Sequence, residues 1–135
     1  MTDSNINESS LFNNLVALCE HPDYGFYFVD REYQGVTYRI FSYRLIGSYT
    51  MWTLPDALNC RGTMFAKIGE DWKLMCLPME KFFRLHENPL TLNININERD
   101  WMLYEKHDGS LISTFTNPTT NLLDFKSNIK YFFRW

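Results

Sequence analysis

The stretch from Tyr24 to Leu45, YGFYFVDREYQGVTYRIFSYRL, constrains the chain most, because aromatic and β-branched residues fill it on both sides of a polar break at Arg31 to Gly35. That pattern fits two antiparallel strands joined by a hairpin. A lone hairpin is marginal in water, so the rest of the chain must supply partners for its faces. Upstream, Leu11, Phe12, Leu15, Val16, Leu18 and Cys19 recur at helical spacing behind a cap at Ser9 or Ser10, and His21-Pro22 stops the run. One amphipathic helix is predicted over Ser10 to Glu20. Downstream, TMFAKIG and DWKLMCLP flank Gly69-Glu70-Asp71 as a second hairpin, after an irregular Gly47 to Cys60 in which Pro55-Asp56 starts a helical turn.

From Met79 to Asn97 the sequence reads as a connector followed by an extended Asn/Ile stretch. WMLYEK, a tight HDG turn, SLISTF, a TNPTTN turn and LLDFKS then predict three more strands in meander order. The resulting fold class is α+β: an antiparallel sheet with an amino-terminal helix. Residues 1–9 read as a flexible leader and residues 10–135 as one folded unit, with no internal repeat and no composition break.

Composition narrows the function classes. Apolar residues make up 45% and aromatic residues 17% of the 135, enough for a packed core and too many for a disordered chain. No apolar run approaches the roughly 20 residues of a membrane helix, and TDSNINESS lacks the regions of a signal peptide, so a soluble cytoplasmic protein is expected. Cys19, Cys60 and Cys76 are odd in number and form no CxxC pair, which favours reduced thiols over disulfides or zinc. A net charge of −3 excludes coating of nucleic acid by general electrostatics. Any contact with phosphate must come from a local basic patch.

One local motif carries a mechanism: Lys106-His107-Asp108-Gly109-Ser110 sets an amine at the end of an expected strand, before a turn. A lysine nucleophile must be uncharged, which desolvation or neighbouring cations can bring about. Attack on the α-phosphate of a nucleotide would give a phosphoramidate, with cations or a metal steadying the departing pyrophosphate. Gly109 would let backbone approach the nucleotide closely. The same Asp-Gly dipeptide is also the ordinary signal of a hairpin, with Lys106 solvated beside it.

Read together, VTYRIFSYRL, LPDALNCRGTMF, LPMEKFFRLHENP and YEKHDGSLISTF resemble, in order and spacing, the amino-terminal part of the bacteriophage (T-even type) ATP-dependent RNA ligase 1 family. The similarity runs from about Leu11 to Ser127. It implies part of a nucleotidyltransferase (ATP-grasp-like ligase) domain, with residues 10–135 as a truncated adenylyltransferase domain. It also implies Lys106 as the catalytic lysine that carries AMP, and Arg61, Lys81, Phe83, Gly109 and Lys126 as nucleotide-binding residues. On their own chemistry, Arg61 could fork onto phosphate oxygens or cover a sheet edge, Lys81 could act as a point charge, and Phe83 could stack on a base or pack in the core.

The implied cofactors are ATP and Mg2+, and the implied partners are RNA ends, tRNA foremost, in the host cytoplasm if the gene is phage-borne. Glu80 and Asp108 are the nearest carboxylates to a metal site, without a second carboxylate spaced to complete it. The family's later motifs, an acidic metal ligand and a lysine pair, have no counterpart here. After Phe125-Lys126-Ser127 the resemblance implies a further lysine-glycine pair; Asn128 stands where its lysine would be, and the aromatic cluster of NIKYFFRW has no counterpart either. The expected activity is therefore joining of 5′-phosphate and 3′-hydroxyl RNA ends through a lysyl-AMP, in truncated form. The alternative is an inactive remnant that binds nucleotide or RNA ends. An exposed sheet edge would favour self-association unless the tail folds back over it.

Overall fold

The computed structural model describes residues 6–46, 48–92, 95, 97 and 100–134. Helix α1 spans Glu8–Cys19, two residues earlier than the hydrophobic spacing suggests, because Asn7 and not Ser9 or Ser10 is the cap. The Asn7 side chain accepts from the Ser10 backbone N–H at 3.0 Å, satisfying one of the donors that a helix start leaves free. Leu11, Leu15 and Leu18 are its buried stripe.

Strands β1 (Phe26–Tyr33) and β2 (Val36–Tyr43) form the expected hairpin, with Phe26 opposite Tyr43 and Tyr33 opposite Val36. The two-residue loop is Gln34-Gly35, both at positive φ (50° and 78°), the twist that a tight hairpin needs and glycine accepts without strain. β3 (Met64–Ile68) and β4 (Asp71–Cys76) form the second hairpin, and β2 pairs with β3, giving a four-stranded antiparallel sheet in the order β1-β2-β3-β4. Between the hairpins lie two 3-10 turns, Tyr49–Thr53 and Ala57–Asn59, where one helical turn was expected.

A separate three-stranded antiparallel sheet follows: β5 (Ser113–Thr116), β6 (Leu123–Lys126) and β7 (Phe132–Phe133), in that order. Two expectations fail here. Trp101 to Ile112 carries no strand and no hairpin turn, so WMLYEK and the first half of SLISTF stay irregular, with Trp101 to Tyr104 exposed. The reason is the lack of a neighbour: a β pattern becomes a strand only where a second strand takes up its backbone groups. Conversely, the tail is paired, with Phe133 opposite Phe125 and Phe132 opposite Lys126. β7 thereby covers one edge of β6, the folding-back of the tail that was named as the exception to self-association. The Asn/Ile stretch lies largely outside the described residues.

Both faces of the four-stranded sheet are covered. On one, α1 and the 3-10 turns bury Phe26, Phe41, Met51, Trp52 and Phe65, and Glu8 accepts from the Leu74 backbone N–H at 3.1 Å, tying the helix to β4. Arg39 sits on this face between the Phe28 and Trp72 rings, 4.0 and 4.7 Å from their centroids, and forks onto Asp30 at 2.8 and 2.9 Å. On the other face the small sheet packs Phe115 and Phe132 onto Tyr38, with Ile40, Met64, Ala66 and Cys76 alongside. The architecture is α+β in three layers: helix, four-stranded sheet, three-stranded sheet. No described helix is long and apolar enough to cross a membrane.

Candidate functional site

Among the described residues, the polypeptide between β4 and β5 forms no α-helix and no strand, and its position depends on a few backbone contacts. The Lys81 backbone N–H donates to the Leu58 carbonyl at 2.8 Å, fixing the MEKFFR segment against the second 3-10 turn. Arg61, three residues beyond Leu58, stands just before β3, and its guanidinium donates to the Met79 carbonyl at 3.5 Å. These two contacts bring Arg61 and Lys81 to the same side of the molecule. They open onto a cleft of about 590 Å3, whose walls also include Phe82, Phe83, Arg84, Glu87 and Lys106.

The cleft concentrates charge that the whole chain lacks. Four of its lining residues are cationic and one is a carboxylate, in a protein of net charge −3. Glu87 is engaged in part by its own turn, accepting from the Arg84 backbone N–H at 3.3 Å. A concave surface of one sign attracts and retains anions, and guanidinium and ammonium groups offer forked and point-charge contacts to phosphate oxygens.

The aromatic side chains divide into two kinds. Phe83 is half-buried and packs edge-on against Trp52 at 5.9 Å, inside the helix-side core. Phe82 is 55% exposed, and the Arg61 guanidinium lies 5.4 Å from its ring centroid. The Lys81 amine donates to the Phe82 carbonyl at 3.2 Å and lies 5.1, 5.9 and 6.0 Å from the rings of Phe83, Tyr43 and Trp52. Those rings hold the ammonium in place through their negative faces.

Four of the six residues singled out in the sequence, Arg61, Lys81, Phe83 and Lys106, thus line one cleft although they come from segments up to 45 positions apart. The other two do not line it. Gly109 has φ +146°, with open space where a Cβ would be, so the backbone at that point is accessible but approaches nothing. Lys126 is fully buried in β6, its amine donating to the Ser127 and Asn128 carbonyls at 3.4 Å each. Desolvation lowers its pKa. Lys106 itself is exposed and lies in the irregular segment, outside both sheets.

Arg84, Phe82 and Glu87 went unmarked in the sequence. The signal was adjacency: Phe82 and Arg84 flank Phe83 in the same MEKFFR segment, and one irregular stretch exposes neighbours on several sides where a strand would alternate them. For a divalent cation the donor set does not fit. Among the described residues no three His, Cys, Asp or Glu side chains converge, Glu80 lines a different cavity together with Asp56, and Asp108 is exposed. These residues form no protein cage for Mg2+. The thiols are likewise structural: burial pushes Cys19 up to about 11 and Cys60 further, and Cys60 donates to the Ser42 carbonyl at 3.1 Å. No disulfide links them.

A comparison with known protein families covers this site's surroundings. A family model described as RNA ligase matches residues 59–131, more than half of the chain and including Arg61, the MEKFFR segment and Lys106.

Proposed function

The chain belongs to the T4-type RNA ligase family, and from that membership we propose that the basic cleft binds ATP and that Lys106 accepts AMP from it. One observation carries the reading: Arg61, Lys81, Arg84 and Lys106 line a single cleft in an acidic protein. A triphosphate is the ligand whose charge such a set would neutralise, and of the two lysines on its wall Lys106 stands in the KHDG motif whose lysine the family resemblance makes the AMP acceptor.

In the reaction proposed, Lys106 first loses a proton to solvent. Its amine then forms a P–N bond to the α-phosphorus while the bond to the bridging oxygen breaks and pyrophosphate departs. AMP passes from the lysine to the 5′-phosphate of an RNA end, and a 3′-hydroxyl displaces it to form the phosphodiester. Arg61 and Lys81 act on the phosphates by charge, which is where most catalysis of phosphoryl transfer lies. The RNA substrate of this reading is a broken tRNA, and the domain is the amino-terminal part of a nucleotidyltransferase. The exposure of Lys106, and the lack of a carboxylate cage among the described residues, favour a second reading, a cleft that holds nucleotide or RNA ends without transferring AMP.

The experiment is incubation with α-labelled ATP and Mg2+, followed by gel and mass spectrometry, with Lys106→Ala as control. An AMP adduct on the wild type that is missing from Lys106→Ala supports ligase chemistry. Saturable ATP binding without an adduct supports the binding module. No binding of either kind overturns both.

A further inference from the structure

The cleft has two neighbouring phenylalanines, and the structure gives them different work. Phe83 is committed: its ring is edge-on to Trp52, packed into the helix-side core and facing the Lys81 ammonium at 5.1 Å. Phe82 has no aromatic partner among the described residues, exposes more than half its surface at 55%, and lines the cleft with a guanidinium 5.4 Å from its ring. An exposed phenylalanine on a cationic wall costs apolar hydration unless a ligand covers it, and the flat ligands that carry phosphates are nucleotides.

We infer that Phe82, and not Phe83, is the platform on which a nucleobase stacks in the cleft, with Arg61 placed to contact both that base and its phosphates. This rests on the phosphate-binding reading above and deepens it by assigning the base. The adenine of ATP and the terminal base of a 5′-phosphorylated RNA both present the chemistry recognised, a π-face next to phosphate. Stacking on an aromatic side chain is worth roughly 5- to 100-fold in affinity per base. Because Phe82 is exposed and belongs to neither hydrophobic core cluster, replacing it should leave the fold intact.

The test measures calorimetric affinities of the full chain for ATP, for inorganic tripolyphosphate and for a short 5′-phosphorylated oligoribonucleotide, in the wild type, Phe82→Ala and Phe82→Trp. The expected result is that Phe82→Ala weakens ATP or the oligonucleotide by about ten-fold or more, leaves tripolyphosphate unchanged, and is rescued by Phe82→Trp. Loss in the ATP arm identifies adenine, and loss in the RNA arm alone identifies the RNA end. Unchanged affinity for both base-bearing ligands overturns the inference, as does an equal loss for tripolyphosphate, which would mean that Phe82 only props Arg61. If the wild type binds ATP in a Phe82-dependent way but not tripolyphosphate, the phosphate reading fails and the platform stands. If the wild type binds none of the three, both fall.

Discussion

One buried polar group shows how an individual residue sets the stability of this fold. The Tyr38 hydroxyl is enclosed between the two sheets without a hydrogen-bond partner among the described residues, and burial, with a smaller push from Asp124, raises its pKa to about 12. An unpaired buried hydroxyl carries its full desolvation cost, so Tyr38→Phe, which keeps the ring contacts with Phe115 and Phe132, should stabilise the protein by about 1 kcal/mol in urea unfolding. In the cleft, Lys81→Ala and Arg61→Ala should each weaken tripolyphosphate binding by roughly ten- to a hundredfold, the effect of losing one charge-assisted contact, with the thermal midpoint barely moved. An equal loss on replacing Arg39, which is held by Asp30 away from the cleft, would show that overall charge and not this site governs binding.

Among the elements, what was legible in the sequence was local. The β1-β2 and β3-β4 hairpins announce themselves by glycine-containing turns whose positive φ values are needed on the spot, and α1 by Leu11, Leu15 and Leu18. Trp101 to Ile112 misled because alternation specifies a strand only when a partner exists, and β7 was missed because a two-residue strand is created by its register with β6 and not by its own residues. The cleft was legible only as separate motifs, since Leu58 and Met79 carbonyls bring Arg61 to Lys81 by contacts no spacing encodes. Gly62 joins these scales. Its φ is +88°, and a Cβ there would stand 2.4 Å from the Asn128 side-chain oxygen, which is buried and has no partner among the described residues. Gly62→Ala should therefore cost about 1–3 kcal/mol and lower the thermal midpoint, while Gly69→Ala, with nothing within reach of its Cβ, should cost less because only its φ of +61° resists.

Across the whole molecule, a single polar knot links layers that are far apart in sequence, and it predicts how stability responds to pH. Asp124, fully buried in β6, accepts from Arg134 at 2.6 and 2.9 Å and from Asn117 at 2.9 Å. Arg134 and Asn117 also each donate to the Gln34 side chain at 3.2 Å, reaching the turn of the first hairpin from the tail and from the β5-β6 loop. The Arg134 hydrogen bonds, reinforced by Asn117, hold the Asp124 carboxyl below its ordinary 3.8, against the opposing effect of burial. A carboxylate whose pKa is depressed by folding contributes stability above the unfolded value, and that contribution is lost as pH falls through the folded one. At the alkaline end the sign reverses. Tyr38 titrates at about 12 folded against 10.0 unfolded, and Cys19 at about 11 against 9.0, so each stabilises in full below its unfolded value and loses that contribution across its own two-unit window. Lys126 works against a flat plateau: its pKa is lowered by desolvation, so protonation increasingly favours the unfolded chain as pH drops below 10.5. Thermal midpoints measured from pH 2 to 11 should fall below pH 4 and above pH 9. Lys126→Met, which keeps the buried stem and removes the charge, should raise the midpoint more at pH 6 than at pH 10, and Arg134→Ala should flatten the acid limb. A midpoint for Lys126→Met that differs from wild type equally at both pH values would mean that the buried amine is not desolvated in the folded protein.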